Sequence, residues 1–150
     1  MSLSADLKKF IELLNSRGVE YVIVDAHSLA FHGRPRYTGD LDILVRPTPE
    51  NAEKIGAVLT DFGFAESGFK WSDFMEPDQM IQLGRVPSRI DLFTGISGVA
   101  TNEAFAKKLS ARLSGLPVFI LSKDLLIRNK RAVGRPQDMV DVTELESADS

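Results

Sequence analysis

The chain has 150 residues, a length that predicts one domain over residues 1–150, and its hydrophobic fraction of 43% is that of an ordinary soluble globular protein. Without cysteine it can form neither disulfides nor thiolate metal sites, and a net charge of −3 carries no global nucleic-acid signal. No run of about 18 apolar residues would make a transmembrane helix, and MSLSADLKKF lacks the layout of a secretory leader, so a cytoplasmic protein with no membrane partner is expected.

Leu7, Phe10, Ile11 and Leu14 recur at helical spacing before Gly18 and predict a first helix. YVIV (21–24) is a short run rich in β-branched residues and predicts a buried strand. DAHSLAFHG (25–33) suits a short helix ended by Gly33, and DLDILV (40–45) reads as the second strand. Thr48-Pro49-Glu50 combines a cap, a proline at the first helical position and an early acid, and Ala52, Ile55, Leu59 and Phe62 continue it as one apolar stripe. MIQLG (80–84) and RIDLF (89–93) flank the turn-like RVPS and predict a hairpin. Thr101 is expected to cap a helix to about Leu109, and LPVFIL (116–121) to form another strand. Ser122 should cap a helix through Lys130, and Pro136 should open a last one to about Glu146. Strands interleaved with helices in this order define an α/β or α+β domain with a small mixed sheet flanked by helices.

Asp40 and Asp42 are out of place in such a strand. Asp is depleted in strands, and a carboxylate is costly to bury without a partner. Residues two apart share a face, so the two acids point one way while Leu41, Ile43 and Val45 point into the core. Like charges this close repel by roughly 2–3 kcal/mol at an effective dielectric near 20. A solvated edge strand would tolerate that. A divalent metal would offset it, because Mg²⁺ takes hard oxygen ligands, often one or two carboxylates plus substrate phosphates. In RIDLF, Asp91 stands on the face opposite Ile90 and Leu92. Two neighbouring strands with acids on one face make a three-carboxylate site, which can hold two Mg²⁺ for phosphoryl or nucleotidyl transfer. Arg89 shares the face of Asp91 and is suited either to pair with an acid or to contact phosphate through its planar fork.

Several other polar and aromatic residues have ordinary explanations. His27 and His32 lie five apart, not at the spacing of a zinc pair, and no third ligand accompanies them. Lys130 and Arg131 would favour a helix C-terminus in any case. As bare acids Asp138 and Asp141 would be solvated surface, with Asp138 also placed to pair with Arg135. Phe69, Trp71 and Phe74 are expected to pack in the core or a lid, or one of them to stack a base.

YVIVDAHSLAFHGRPRYTGDLDILV (21–45) resembles the core of the nucleotidyltransferase superfamily, the DNA-polymerase-β-like fold. The match is to its small bacterial members, related to the nucleotidyltransferase toxins of type IV toxin–antitoxin systems. Those chains show an apolar strand, a Gly-Gly or Gly-Ser turn, a short helix, HG-x-x-R-x-T and then DxD. QLGRVPSRIDLFTGISG (82–98) resembles their third-acid segment, and LSKDLLIRNKRAVGRPQDMVDVTEL (121–145) their C-terminal K…GR-x-x-D-x-x-D segment.

The resemblance implies a nucleotidyltransferase that moves an NMP from an NTP to an acceptor hydroxyl, with a two-metal Mg²⁺ site. Asp40 and Asp42 would be metal ligands, and Asp91 a third ligand or the base for the hydroxyl. Lys130 would contact the nucleotide phosphates, and Asp138 would be the acid of the last motif. Arg34 and Arg36 precede the metal strand and would meet the triphosphate, with Ser28 near enough to supply a hydroxyl. RNA, a protein side chain and a small molecule all remain as acceptors, and a chain this short leaves room for a homodimer or an antitoxin-like partner. At the nucleotide turn, Asp25-Ala26 stands where the family has Gly-Gly or Gly-Ser. An anion where phosphate should lie leaves a second reading, a degenerate binding or regulatory module that kept the fold and lost the chemistry.

Overall fold

A computed structural model describes residues 4–24, 40–63, 70–84 and 88–147. The first helix, α1 (Ala5–Ser16), starts at Ser4, whose side chain accepts a hydrogen bond from the Leu7 amide, and buries Leu7, Phe10, Ile11 and Leu14. β1 (Tyr21–Val24) and β2 (Asp40–Val45) follow the expected bounds. The next helix, α2 (Pro49–Phe62), is capped by Thr48, carries Pro49 in its first turn and ends at Gly63 in the left-handed conformation. A 3-10 turn (Trp71–Met75) leads to the hairpin of β3 (Met80–Leu83) and β4 (Arg89–Phe93). Then come α3 (Thr101–Ala106), β5 (Leu109–Leu113), β6 (Leu116–Ile120), α4 (Lys123–Val133) and α5 (Pro136–Ser147).

The described strands form one mixed sheet in the order β3-β4-β2-β1-β6-β5. β2 runs parallel to β4 and antiparallel to β1, and β1 runs parallel to β6. Hydrophobic burial divides across this sheet. On one face Leu41, Ile43, Ile90 and Leu92 meet α1 and α2. On the other, Val22, Val24 and Leu44 meet Phe105 of α3, Leu125 and Leu126 of α4 and Leu145 of α5. Alternation along β2 and β4 therefore turns Asp40, Asp42 and Asp91 toward the face that carries α3, α4 and α5.

Four local expectations are corrected. Helix α3 ends at Ala106, and Thr101 is its first residue, with Ala100 at the cap and no side-chain hydrogen bond. Leu109 opens β5, a strand the sequence pattern did not reveal: its burial is patchy because, among the described strands, it lies at the sheet edge and pairs with β6 alone. Ser122 does stand at the cap of α4, but its hydroxyl bonds Asp124 Oδ1 at 2.7 Å, and the helix runs on past Lys130 to Val133. Trp71 lies half exposed, whereas Phe74 is fully buried. The short helix expected over 25–33 and Phe69 lie outside the described residues.

Candidate active site

The centre of β2 sits between β1 and β4, and the register sets its chemistry. Asp42 lies opposite Val24 on one side and Asp91 on the other, and Asp40 lies opposite Arg89. Two parallel strands in register thus bring three carboxylates to one spot, where one oxygen from each of Asp40, Asp42 and Asp91 lies within 4.8 Å of the others. Asp40 and Asp42 are half-buried, and Asp91 is 3% exposed.

Arg89 answers the most buried of these charges. Its Nε donates to Asp91 Oδ1 at 3.1 Å and its Nη2 to Oδ2 at 2.9 Å, a two-pronged contact that occupies both oxygens. The same contact, joined by the fields of Asp40 and Asp42, raises the Arg89 pKa further above its ordinary value. The sequence left Arg89 two partners, an acid or phosphate; in this structure it holds the acid.

Residues from four further segments complete a cavity of about 360 Å³ around the acids. The loop after β4 supplies Gly95, Ile96 and Ser97; α4 supplies Asn129, Lys130 and Val133; Arg135 and Asp138 close the far wall. Thr94, at the end of β4, anchors that side by donating to the Glu76 carbonyl at 2.6 Å and accepting from the Gln79 amide at 2.7 Å.

The α4–α5 wall depends on one turn. Gly134 takes a left-handed conformation (φ 72°), so α5 folds back along α4 and its first two turns reach Lys130. Lys130 Nζ then lies 3.2 Å from Asp141 Oδ2 and 3.5 Å from Asp138 Oδ1, and all three residues are 2% exposed. Arg135 reaches Asp138 from outside: its backbone N–H donates to Oδ2 at 3.1 Å, and Nε and Nη2 donate at 2.7 and 3.1 Å. Asp138 and Asp141 are therefore not the solvated acids their helical spacing suggests when taken alone. Lys130 borders the cavity, and its charge is shared with two carboxylates.

The Arg135 hydrogen bonds hold the Asp138 carboxyl below its ordinary pKa, against the opposing effect of burial. A depressed carboxylate contributes stability that is present above the unfolded value, near pH 4, and lost as pH falls through the lower folded value. The wild-type melting temperature should accordingly drop more steeply between pH 5 and pH 3 than that of Asp138→Asn, as calorimetry at both pH values would show.

Of the other residues singled out in the sequence, Asp25, Ala26, Ser28, Arg34 and Arg36 lie outside the described residues. Asn129, Arg135 as a cavity wall, and the buried partnership of Asp141 with Lys130 were not anticipated as site features. The GR-x-x-D-x-x-D spacing after Lys130 was the available signal: a turn glycine followed by Pro136 marks a helical hairpin that returns Asp138 and Asp141 to the preceding helix.

Neither a protein-family model nor a curated protein sequence matches the chain. Its fold does match solved structures. An antigenic nucleotidyltransferase-like protein from Paracoccidioides brasiliensis superposes with a TM-score of 0.56 at 14% identity, over 99% of this chain and 78% of that one. The lincosamide antibiotic adenylyltransferase LnuA, with lincomycin bound, gives a TM-score of 0.62 at 15% identity and covers 99% of both chains. The antibiotic-resistance factor ANT(2'')-Ia gives 0.52 at 11% identity, over 93% of this chain and 80% of its own. At these identities the likeness is one of fold: the chain has the nucleotidyltransferase-like fold, with a mixed sheet flanked by helices.

Proposed function

We propose that this protein is a Mg²⁺-dependent nucleotidyltransferase that moves an NMP from an NTP to an acceptor hydroxyl. The observation that carries this reading is the convergence of Asp40, Asp42 and Asp91 in a cavity that also holds Arg89, Lys130 and Arg135. The donor set fits magnesium, since all three groups offer hard carboxylate oxygens and, among the described residues, no nitrogen or sulfur ligand accompanies them. Among the described residues, four carboxylates line the cavity against three cations. A triphosphate entering it would meet net negative charge unless divalent cations came too, so nucleotide and metal binding should be mutually dependent.

Asp40, Asp42 and Asp91 would hold the magnesium, which would supply Lewis-acid stabilisation of charge on the phosphate oxygens. The acceptor oxygen attacks the α-phosphorus, an O–P bond forms, and the bond to the pyrophosphate oxygen breaks. In this reading Asp91 takes the hydroxyl proton, and Arg89 must first release at least one of the two oxygens it holds. Arg89, once released, is suited to the phosphates. Lys130 and Arg135 add positive charge at the far wall and hold Asp138 in place.

The acceptor we favour is a hydroxyl on a small molecule, because LnuA, an adenylyltransferase with lincomycin bound, matches this chain over 99% of both lengths. A toxin-like role, with an antitoxin-like partner and a hydroxyl on RNA or protein, has its support in the sequence motifs. A degenerate binding module is not favoured, since the three acids converge as a working site requires. The test is incubation with radiolabelled NTP, MgCl₂ and panels of aminoglycosides, lincosamides, RNA and protein extract. Label transfer with pyrophosphate release supports the reading; no transfer and no Mg-NTP binding by calorimetry would sink it.

Arg89→Ala should uncouple metal from nucleotide. In wild type a cation must compete with the guanidinium for Asp91, so free Mg²⁺ or Mn²⁺ should stabilise the protein only weakly. The variant should melt lower without metal and bind Mn²⁺ about tenfold more tightly without nucleotide, because a charge-assisted pair no longer competes. A metal-induced melting shift equal to that of wild type would contradict this role.

A further inference from the structure

The three acids have two unlike sides. Across the sheet, Gln82 of β3 lies opposite Asp91, Asp91 opposite Asp42, and Asp42 opposite Val24 of β1. Partners in register share a face, so these four side chains form one row on the face that carries the acids. At the Val24 end the row is covered: Leu125 and Leu126 of α4 and Leu145 of α5 pack on Val22 and Val24. Lys130 and Arg135 enter the cavity from that side. At the β3 end the row is open. Gln82 is exposed, and Met80, which lies opposite Phe93, keeps 53% of its surface in solvent.

In-line displacement gives this asymmetry a direction, because the attacking and leaving oxygens lie on opposite sides of the phosphorus. With the α-phosphorus over the acids, the leaving pyrophosphate is a polyanion and belongs on the side of Lys130 and Arg135. Arg89 does not alter that assignment, since it pairs with Asp91 inside the acid cluster itself. The acceptor then arrives over Asp91 from the β3 side. There it meets Gln82, Met80 and Phe93, one neutral amide and two apolar side chains. These three offer no lysine or arginine to the phosphates of RNA and no carboxylate to a polycationic sugar.

Resting on the nucleotidyl-transfer reading above, we propose that Gln82, Met80 and Phe93 form the acceptor subsite and that it takes a hydroxyl on a small molecule of little charge and partly apolar surface. The Gln82 amide holds that hydroxyl beside Asp91. Residues directly opposite in an antiparallel pair have Cβ atoms roughly 5 Å apart, so a group bound by the amide stays within reach of the carboxylate. The amide N–H donates to the hydroxyl oxygen, which leaves the O–H directed at Asp91.

The experiment gives wild type and Gln82→Ala α-labelled NTPs, MgCl₂ and, in turn, uncharged chloramphenicol, weakly basic lincomycin, polycationic kanamycin and polyanionic tRNA. Mg-NTP affinity is measured by calorimetry in parallel. Label should pass to chloramphenicol or lincomycin and not to kanamycin or tRNA. Gln82→Ala should raise the KM for that acceptor by about five- to tenfold, the worth of one neutral hydrogen bond, and leave the Kd of Mg-NTP within about twofold. Met80→Lys, which places a charge on the same surface, should also raise the acceptor KM while sparing Mg-NTP. Label on kanamycin or tRNA, or on none of the four, overturns the acceptor class. An unchanged acceptor KM in Gln82→Ala, or a loss of Mg-NTP affinity as large as the rise in KM, overturns the role of Gln82. Each of these outcomes leaves nucleotidyl transfer standing wherever Mg-NTP still binds wild type. Failure of wild type to bind any Mg-NTP overturns both.

Discussion

Asp42→Asn should reduce nucleotidyl transfer by a factor of about 10³ or more while leaving the metal-free protein as stable as wild type or more so. The two effects have one origin. Asp42 is the middle carboxylate of the three, flanked in register by Val24 and Asp91 and two residues from Asp40 on the same strand. At separations under 5 Å each like-charged pair repels by roughly 3 kcal/mol at an effective dielectric near 20, before water and Arg89 screen it. Asn keeps the shape and removes one charge, so that repulsion falls and the melting temperature without metal should hold or rise by a few degrees. It also removes the hardest kind of ligand from the centre of the set. Bound metal contributes several kcal/mol of transition-state stabilisation, and each 1.36 kcal/mol is tenfold in rate. Melting curves with and without MgCl₂ separate the effects: wild type should gain stability from Mg-NTP, and Asp42→Asn should not. If the variant were destabilised without metal and still transferred label, the acids would be structural.

The part of this site that was legible in the sequence is the part that strand geometry dictates. Asp40, Asp42 and Asp91 stand where a period of two puts acids on one face and Leu41, Ile43, Ile90 and Leu92 on the other, and the register of β2 with β4 then brings them together. Thr48-Pro49 and Gly63 marked both ends of α2 because caps act through their nearest neighbours. The rest depends on contacts between distant segments. Nothing within Leu109–Leu113 separates a frayed helix end from an edge strand; pairing with β6 across the Ser114-Gly115 turn decides it. Asp138 and Asp141 read as surface because their partner Lys130 belongs to another helix, and a charge is buried only where its counter-charge is delivered by the tertiary fold. Asn129 carries no signature in the sequence as a cavity residue, since its hydrogen bond goes to a backbone carbonyl thirty-two residues away.

The Lys130 cluster gives the largest stability effect. Lys130→Met keeps the length and apolar stem of the side chain and deletes its ammonium, leaving Asp141 and Asp138 buried at 2% exposure with one counter-charge fewer. Removing one partner of a buried ion pair costs about 3–5 kcal/mol, because the remaining charge has lost its compensation without regaining water. In a domain of this size 1 kcal/mol is worth roughly 2–4 °C, so the melting temperature should fall by about 10 °C. Arg135 still grips Asp138 after the substitution, so the carboxylate left with less compensating charge is Asp141, to which the neutral Gln137 amide donates at 2.8 Å. Lys130→Met combined with Asp141→Asn should therefore recover a large part of the loss, whereas adding Asp138→Asn instead should recover less, since it also strands the Arg135 contact. A fall of less than about 3 °C in Lys130→Met would show that the ammonium is not holding this corner. The same variants separate scaffold from chemistry. Assayed well below its melting temperature, the rescued double variant should fold like wild type but bind Mg-NTP more weakly, because the cavity has lost one of the three cations that line it among the described residues. Equal NTP affinity in the rescued protein would confine Lys130 to joining α4 to α5.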